Sequence, residues 1–326
     1  MKEIIVNTNE AGQRLDKLLG KYLNLAPKSF IYKMLRKKNI KLNDKKAQGN
    51  EILKEKDSVK LFLSDETISS FRNHSQKIQV SDKIVNLEII YQDKDVMFIN
   101  KPVGMLSQKA ESSDVSLNEH LLQYILKQNI LNEDELRNFR PSVCNRLDRN
   151  TSGLVLCGIS LKGLQELSGA LRERAVQKYY LTIVKGVVEK SGKIEGYLFK
   201  DEQKNMVKIK KEKSDSLPYV LTKYEPVSTN GTYTLLKVHL ITGKTHQIRA
   251  CLSSIGFPIL GDSKYGDVLV NQEMKKEYNL KFQLLHSYQV VFPDDFALDA
   301  LSNQTFTAPL PIQFQKMKNG LRLYIY

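Results

Sequence analysis

The sequence contains no tryptophan, and only three of its 326 residues are cysteines: Cys144, Cys157 and Cys251. They are widely spaced and form no C-x-x-C pair. That argues against a zinc site and against a disulfide framework, and it fits a reducing compartment. No apolar run is long enough for a membrane span. The opening MKEIIVNTNEAGQR lacks the apolar core of a signal peptide, so a cytoplasmic protein without membrane association is expected. Neither a phosphate-binding loop (G-x-x-x-x-G-K-S/T) nor a G-x-G-x-x-G fingerprint occurs, and no metal or other cofactor is expected.

Acidic side chains are also in short supply. There are 36 Asp and Glu against 50 Lys and Arg, a formal net charge of +14. A surplus of this size suits a polyanionic partner, because a basic surface attracts phosphates and speeds encounter. The charge is uneven: residues 1–62 hold 15 Lys and Arg against 7 Asp and Glu. The length favours two domains. We divide the chain into a basic unit at 1–63, a polar linker at 64–87 and a denser body at 88–326.

In the basic unit, EIIVN (3–7) reads as a strand. Leu15, Leu18, Leu19 and Tyr22 recur at helical spacing. Pro27 breaks that pattern, and Ser29 is placed as the N-cap of a second helix that ends in Arg36-Lys37-Lys38, cations suited to a helix C-terminus. IKLN (40–43) and SVKLFL (58–63) read as strands. In the body, LEIIY, DVMFINKP and Leu154-Val155-Leu156 read as strands. SLNEHLLQYILKQ (116–128) reads as a helix with Ser116 and Glu119 as a capping box, and LKGLQELSGALRE (161–173) as another helix. KYYLTIVKGVV, YVLTKYEPV, YTLLKVHLI, HQIRACL and YQVVF read as strands or strand–helix pieces. Many strands with few interleaved helices define an α+β fold.

The segment Asn145-Arg146-Leu147-Asp148-Arg149-Asn150-Thr151-Ser152-Gly153-Leu154 stands out. It places one carboxylate between two arginines, on a polar loop that runs into an apolar strand. Neighbouring cations favour the ionised acid, and an ionised carboxylate on a rigid loop is a usable nucleophile. On spacing alone the same residues describe a surface ion-pair cluster, and such clusters outnumber catalytic carboxylates.

In combination the motifs go further. R-L-D-x-x-T-S-G-L resembles the defining motif of the RluA/RluC/RluD-type pseudouridine synthases. Asn100-Lys101-Pro102-Val103-Gly104, Lys178-Tyr179-Tyr180-Leu181, Leu240 to Arg249 (LITGKTHQIR) and Gly256 to Asp262 (GFPILGD) are similar to further segments of that family, in its order. Residues 14–59 resemble the alpha-L RNA-binding domain of a ribosomal small-subunit protein, through Arg14-Leu15-Asp16, Lys28-Ser29, Leu35-Arg36-Lys37, Ile40 to Asn43 and Asp57-Ser58-Val59.

The resemblance implies a mixed, mainly antiparallel central sheet with flanking helices, joined to a small α+β RNA-binding domain. It implies an isomerase acting on RNA uridines, with large-subunit ribosomal RNA preferred over transfer RNA, working as a monomer. Asp148 would be the nucleophile and Arg249 its ion-pair partner. Tyr180 would stack on the base and assist proton removal, with Tyr179 as the rival position because strand neighbours face opposite ways. Arg146 would fill the gap left by the extruded base. Asn100 and Lys101 would contact RNA, and Lys28, Lys33, Arg36, Lys37 and Lys38 would meet phosphates.

The sequence departs from the family pattern at Asn145, Lys244 and Phe257, and at Ala250, where a larger aliphatic residue is usual. His246 invites a general-base or metal reading, but no second ligand has metal spacing to it. Two alternatives remain: a catalytically silent RNA-binding factor, and a carboxylate-nucleophile glycosidase, for which no motif supplies the second acid.

Overall fold

The computed structural model describes residues 1–7, 9–72, 86–111, 113–132, 135–136, 139–201 and 206–324. Among the described residues there are two sheets, the first packed on one hydrophobic cluster and the second on several.

The first sheet contains β1 (Lys2–Ile5), β2 (Ile40–Leu42), β3 (Lys45–Lys46) and β4 (Ser58–Leu61), in the antiparallel order β1-β4-β2-β3. Helices α1 (Leu15–Tyr22) and α2 (Lys28–Arg36) bury Leu15, Leu18, Leu19, Ile31 and Leu35 against Ile40, Val59 and Leu61. The expected cap differs. Pro27, not Ser29, occupies the N-cap of α2. A proline there gives up no hydrogen bond, because the first helical N–H groups have no intrahelical partner.

The polar segment 64–87 is not linker throughout. Asp65–Ser70 forms helix α3, capped by the Ser64 hydroxyl accepting from the Thr67 N–H at 3.2 Å. Ile68 is buried in the N-terminal cluster, and the Phe71 ring lies 4.4 Å from that of Phe30. One apolar residue per turn was too sparse a signal to reveal this helix. The middle of the expected linker, 73–85, lies outside the described residues.

The second sheet has 11 strands. They are β5 (Glu88–Gln92), β6 (Val96–Lys101), β7 (Ser142–Val143), β8 (Ser152–Gly158), β9 (Gln177–Lys185), β10 (Gly192–Asp201), β11 (Met206–Lys210), β12 (Tyr219–Thr229), β13 (Tyr233–Leu240), β14 (Leu285–Val291) and β15 (Thr305–Thr307). The main path runs β11-β10-β12-β13-β9-β14-β8-β6-β5, with β15 on β14 and β7 on β8. Among the described residues only the β8–β14 pairing of this sheet is parallel, so the sheet is mixed and mainly antiparallel.

Alternation along the central strands feeds a core on each face. Val155 and Cys157 of β8 join Met97 and Ile99 in one cluster, while Leu154 and Leu156 join Val96 and Phe98 in another. Helices α4 (Leu117–Lys127) and α6 (Gln247–Ser254) cover the first face, and α5 (Leu161–Glu173), α7 (Val268–Tyr278) and α8 (Ile312–Gly320) bury residues in the clusters opposite. The Ser116–Glu119 capping box of α4 forms as expected, with the Ser116 N–H donating to Glu119 at 3.1 Å. HQIRACL folds as α6. Its residues from Gln247 to Leu252 are all buried without regard to period, which hides a short helix from periodicity. Among the described residues no helix is long and apolar enough to cross a membrane.

Candidate active site

The start of β8, the end of β13 and the beginning of α6 meet at one end of the sheet, where His286 of β14 is level with Ser152 and Ser287 with Tyr180. The loop before β8 carries Asp148 and is held at several points. The Thr151 N–H donates to the Asp148 carbonyl at 3.0 Å, and the Gly104 N–H to the Arg149 carbonyl at 2.9 Å. The Ser107 hydroxyl donates to the Leu147 carbonyl at 2.9 Å and accepts from the Leu147 N–H at 3.0 Å. Asn145, one of the departures from the family pattern, accepts from the Leu156 N–H at 2.7 Å and so ties the loop's entry to β8.

The segment LITGKTHQIR acts as a clamp that launches α6. Gln247 accepts from the Thr242 hydroxyl at 2.9 Å and the Lys244 N–H at 3.1 Å, and donates to Thr222 Oγ1 at 3.0 Å on β12. His246, with φ of 54°, takes the left-handed conformation at the N-cap. The helix then presents Arg249, whose Nη1 donates to Asp148 Oδ2 at 2.8 Å. Arg249 is almost fully buried, while the Asp148 side chain is 28% exposed. The carboxylate therefore sits at a wall open to ligand, with its counter-charge behind it.

The flanking arginines of the RLDR segment do not supply that charge. Arg146 and Arg149 are exposed, and among the described residues neither forms an ion pair with Asp148. Local charge therefore named the wrong cation, whereas the pairing of Arg249 with Asp148 that the resemblance implied is present.

Sequence reasoning also missed a second carboxylate, Asp262. It accepts from Arg249 Nε at 2.7 Å and Nη2 at 2.8 Å, and its side chain is fully buried. Burial works against the charge of Arg249, but hydrogen bonding and proximity to Asp262, and then to Asp148, outweigh it and raise its pKa. Burial pushes the Asp262 acid up, while Arg249 and the N–H groups of Lys264 and Tyr265 more than offset it and leave its pKa lowered. The five donors of a buried guanidinium need more than one acceptor, and that requirement was the available signal.

Tyr180, on β9, lines the same cleft and is buried, whereas the Tyr179 ring stacks on His239 at 4.5 Å and its hydroxyl donates to Gln177. Burial pushes the Tyr180 phenol up to about 12, so it is a neutral hydroxyl at neutral pH and not a ready base. His246 Nε2 lies 3.8 Å from Asp148, and Nδ1 lies 3.1 Å from the Tyr265 hydroxyl. Burial lowers its pKa below the ordinary value, which leaves a neutral imidazole beside the carboxylate. Among the described residues no three His, Cys, Asp or Glu side chains gather as a metal site.

The cleft has a volume of about 740 Å³. Eight Lys or Arg residues line it, including Arg146, Arg149, Lys178 and Lys244, against the single carboxylate of Asp148. Two expected RNA contacts lie elsewhere. Lys101 is fully buried and donates to the carbonyls of Pro102, Met105 and Arg149 at 2.9, 2.8 and 3.1 Å, so it serves the loop and cannot reach a phosphate. Asn100 donates to Glu88 at 2.9 Å and to the Pro309 carbonyl at 3.2 Å, outside the Asp148 cleft. Lys28, Lys33, Arg36, Lys37 and Lys38 are all exposed on or just after α2, with no carboxylate partner among the described residues.

Sequence and structure comparisons agree with this architecture. Residues 95–254 match the family described as RNA pseudouridylate synthase. The chain is 30% identical over 295 residues to an RNA pseudouridine synthase of Mycoplasma genitalium, covering 89% of each. It is 32% identical to the ribosomal large subunit pseudouridine synthase D of Borreliella burgdorferi, covering 83% of this chain and 81% of that protein. It is 30% identical to ribosomal large subunit pseudouridine synthase C of Buchnera aphidicola, covering 97% and 96%. The solved structure of human RNA pseudouridylate synthase domain containing 4 shares the fold, with a TM-score of 0.59 at 23% identity, covering 73% of this chain and 94% of that one. The chain belongs to the RNA pseudouridine synthase family. It is an RNA isomerase.

Proposed function

We propose that this enzyme converts uridines of large-subunit ribosomal RNA to pseudouridine, with Asp148 as the nucleophile. The observation that carries the reading is the 2.8 Å bond from Arg249 Nη1 to Asp148 Oδ2 at the wall of a basic cleft. Arg249 holds Asp148 aimed and places a positive charge beside it, which is electrostatic preorganisation. Asp148 bonds to the nucleoside, the bond from nitrogen 1 to the sugar breaks, the base reattaches through carbon 5, and the bond to Asp148 breaks to give back the carboxylate. The proton lost from carbon 5 balances the one gained at nitrogen 1, so the reaction is an isomerisation. Tyr180 supplies a ring to pack on the base and a neutral hydroxyl to bond it.

A stacked uridine must leave its helix to reach this wall, at a cost of a few kcal/mol. Arg146, exposed at the cleft, would fill the gap. The basic face of α2 supports the assignment of the N-terminal unit as an alpha-L-type RNA-binding domain, whose contacts fix position rather than read sequence. Ribosomal rather than transfer RNA is favoured because relatives covering most of the chain carry ribosomal names. The protein is expected to act as a cytoplasmic monomer.

The test is tritium release from ribosomal RNA labelled at carbon 5 of uridine. Wild-type protein releases tritium. Asp148→Asn binds the RNA and releases none; release at the wild-type rate from that variant would remove Asp148 from this role.

A further inference from the structure

We propose that the outer face of the corner formed by β10, β11 and β12 is a further RNA-binding surface, on which unpaired bases next to the target uridine stack against Phe199 and Tyr219. The path given to the RNA rests on the reading of the Asp148 cleft as the site of reaction.

Strand alternation builds the face. Ile194, Leu198, Val207 and Val220 point into the cluster that also holds Ile248, Cys251 and Leu252 of α6. Their neighbours along the strands point away from α6, and Lys193, Glu195, Phe199, Lys208, Lys210 and Tyr219 are exposed. Pairing sets these side chains in rows. Tyr197 is level with Tyr219 on one side and Lys210 on the other, and Phe199 is level with Lys208. The rings of Tyr197 and Tyr219 meet edge to face with centroids 5.8 Å apart, and Lys210 Nζ lies 5.0 Å from the centre of the Phe199 ring. Phe199 and Tyr219 nevertheless stay 40% exposed each. Rings left in water contribute little to folding, whereas every base has a π-face on which such a ring can stack.

Charge selects the partner. Residues 206–213 hold four lysines against one glutamate. Glu195, which shares the face, is taken up by Lys193 at 2.9 Å and by the Tyr219 hydroxyl at 2.9 Å. Among the described residues no carboxylate pairs with Lys208 or Lys210. Lysines interleaved with exposed rings suit a single strand, whose phosphates meet the cations while its bases stack. A duplex keeps its π-faces inside and fits such a surface poorly.

The face also adjoins the cleft. The Leu221 N–H, on the same strand as Tyr219, donates to Thr242 Oγ1 at 2.9 Å, and Thr242 and Leu240 line the cleft. An RNA strand that leaves Asp148 past Thr242 meets the rings at the same end of the sheet.

The lack of tryptophan supplies the probe. Phe199→Trp in the full chain keeps an aromatic ring and places a single indole on the face. A single-stranded oligouridylate of about ten nucleotides is expected to quench its fluorescence, and an RNA duplex of the same length is expected not to. Read by this quenching, the dissociation constant should rise about 10-fold when Tyr219→Thr is added, the order of one lost base stack. Adding Lys208→Gln and Lys210→Gln instead should flatten the slope of log affinity against log salt by about 1.4, at about 0.7 per phosphate contact on a single strand. No quenching by the oligonucleotide would reduce the lysines to guards of an edge strand and overturn the proposal. Equal quenching by the duplex would make the face a basic patch without stacking, and quenching by polyglutamate in place of RNA would assign it to an acidic protein. Either result overturns the proposal as well.

The same indole, combined with Asp148→Asn, is expected to be quenched by large-subunit ribosomal RNA. Absence of that quenching would show that the substrate does not reach the face, and the proposal would be wrong. Tritium release from the combined variant would instead remove Asp148 as the nucleophile and leave the quenching as it is, so the two readings fail by different signals.

Discussion

Lys101 lies fully buried beneath the loop that carries Asp148 and donates to the Arg149 carbonyl at 3.1 Å. The same ammonium bonds two carbonyls of the Pro102–Met105 turn, so one side chain joins the exit of β6 to the Asp148 loop. Burial pulls its pKa down to about 7. Lys101→Met keeps the length of the side chain but strands three acceptors. We expect a stability loss of about 3 kcal/mol in urea denaturation, with RNA affinity unchanged because the ammonium does not reach solvent. Unchanged stability together with weaker RNA binding would return Lys101 to the surface role first expected of it.

Gly153 tests the other end of the loop. Its φ is +109°, and a Cβ there would fall 2.2 Å from the Ser287 carbonyl oxygen of β14. The contact is with backbone, and it lies where β8 and β14 form the one parallel pairing of the sheet. No side-chain rotation relieves it. Gly153→Ala should therefore cost about 3 kcal/mol or more and split the loop from β14. Near-normal thermal stability of the variant would mean that the two strands part easily.

The basic face of α2 predicts a salt effect rather than a catalytic one. Replacing Arg36 and Lys37 with Gln removes two exposed cations and no buried contact. Each lost phosphate contact should reduce the slope of log affinity against log salt by about 0.7 to 0.9, so the double variant loses about 1.5. The tritium-release rate at saturating RNA should hold. An unchanged slope would separate α2 from the RNA.

Some of this architecture was legible because it is local. The capping box of α4, the periodic α5 and the apolar β8 each declare themselves within a dozen residues, and strand alternation already set Tyr180 apart from Tyr179. Features that depend on distant partners were not. Arg249 and Asp148 are 101 positions apart, so local charge pointed to neighbouring Arg146 and Arg149, and only the family resemblance paired Arg249 with Asp148. Asp262 was visible as a motif letter, but only packing shows that it takes the fork of Arg249. Lys101 was expected to contact RNA, and only the folded loop reveals the three carbonyls around it.

His286 ties the site to pH. It is fully buried on β14, and the neutral ring uses both nitrogens: Nδ1 lies 2.9 Å from the Ser152 hydroxyl and Nε2 is 3.2 Å from the Ala308 carbonyl. The carbonyl can only accept, so Nε2 carries the proton and Nδ1 takes the hydroxyl's hydrogen. Burial, opposed by the Ala308 bond, lowers its pKa from 6.5 to about 4. Between these values the unfolded chain binds the proton and the folded chain does not. The stabilisation is therefore complete above the unfolded value and is lost as pH falls through the folded one. The span amounts to about 3 kcal/mol. Protonation would also take the Nδ1 acceptor from Ser152, the residue that ends the Asp148 loop. His286→Gln removes the titration, so its stability should fall by roughly 2 to 3 kcal/mol less than that of the wild type between about pH 7.5 and about pH 4. Urea denaturation at the two pH values measures this, and equal losses in both proteins would place the acid sensitivity on other groups.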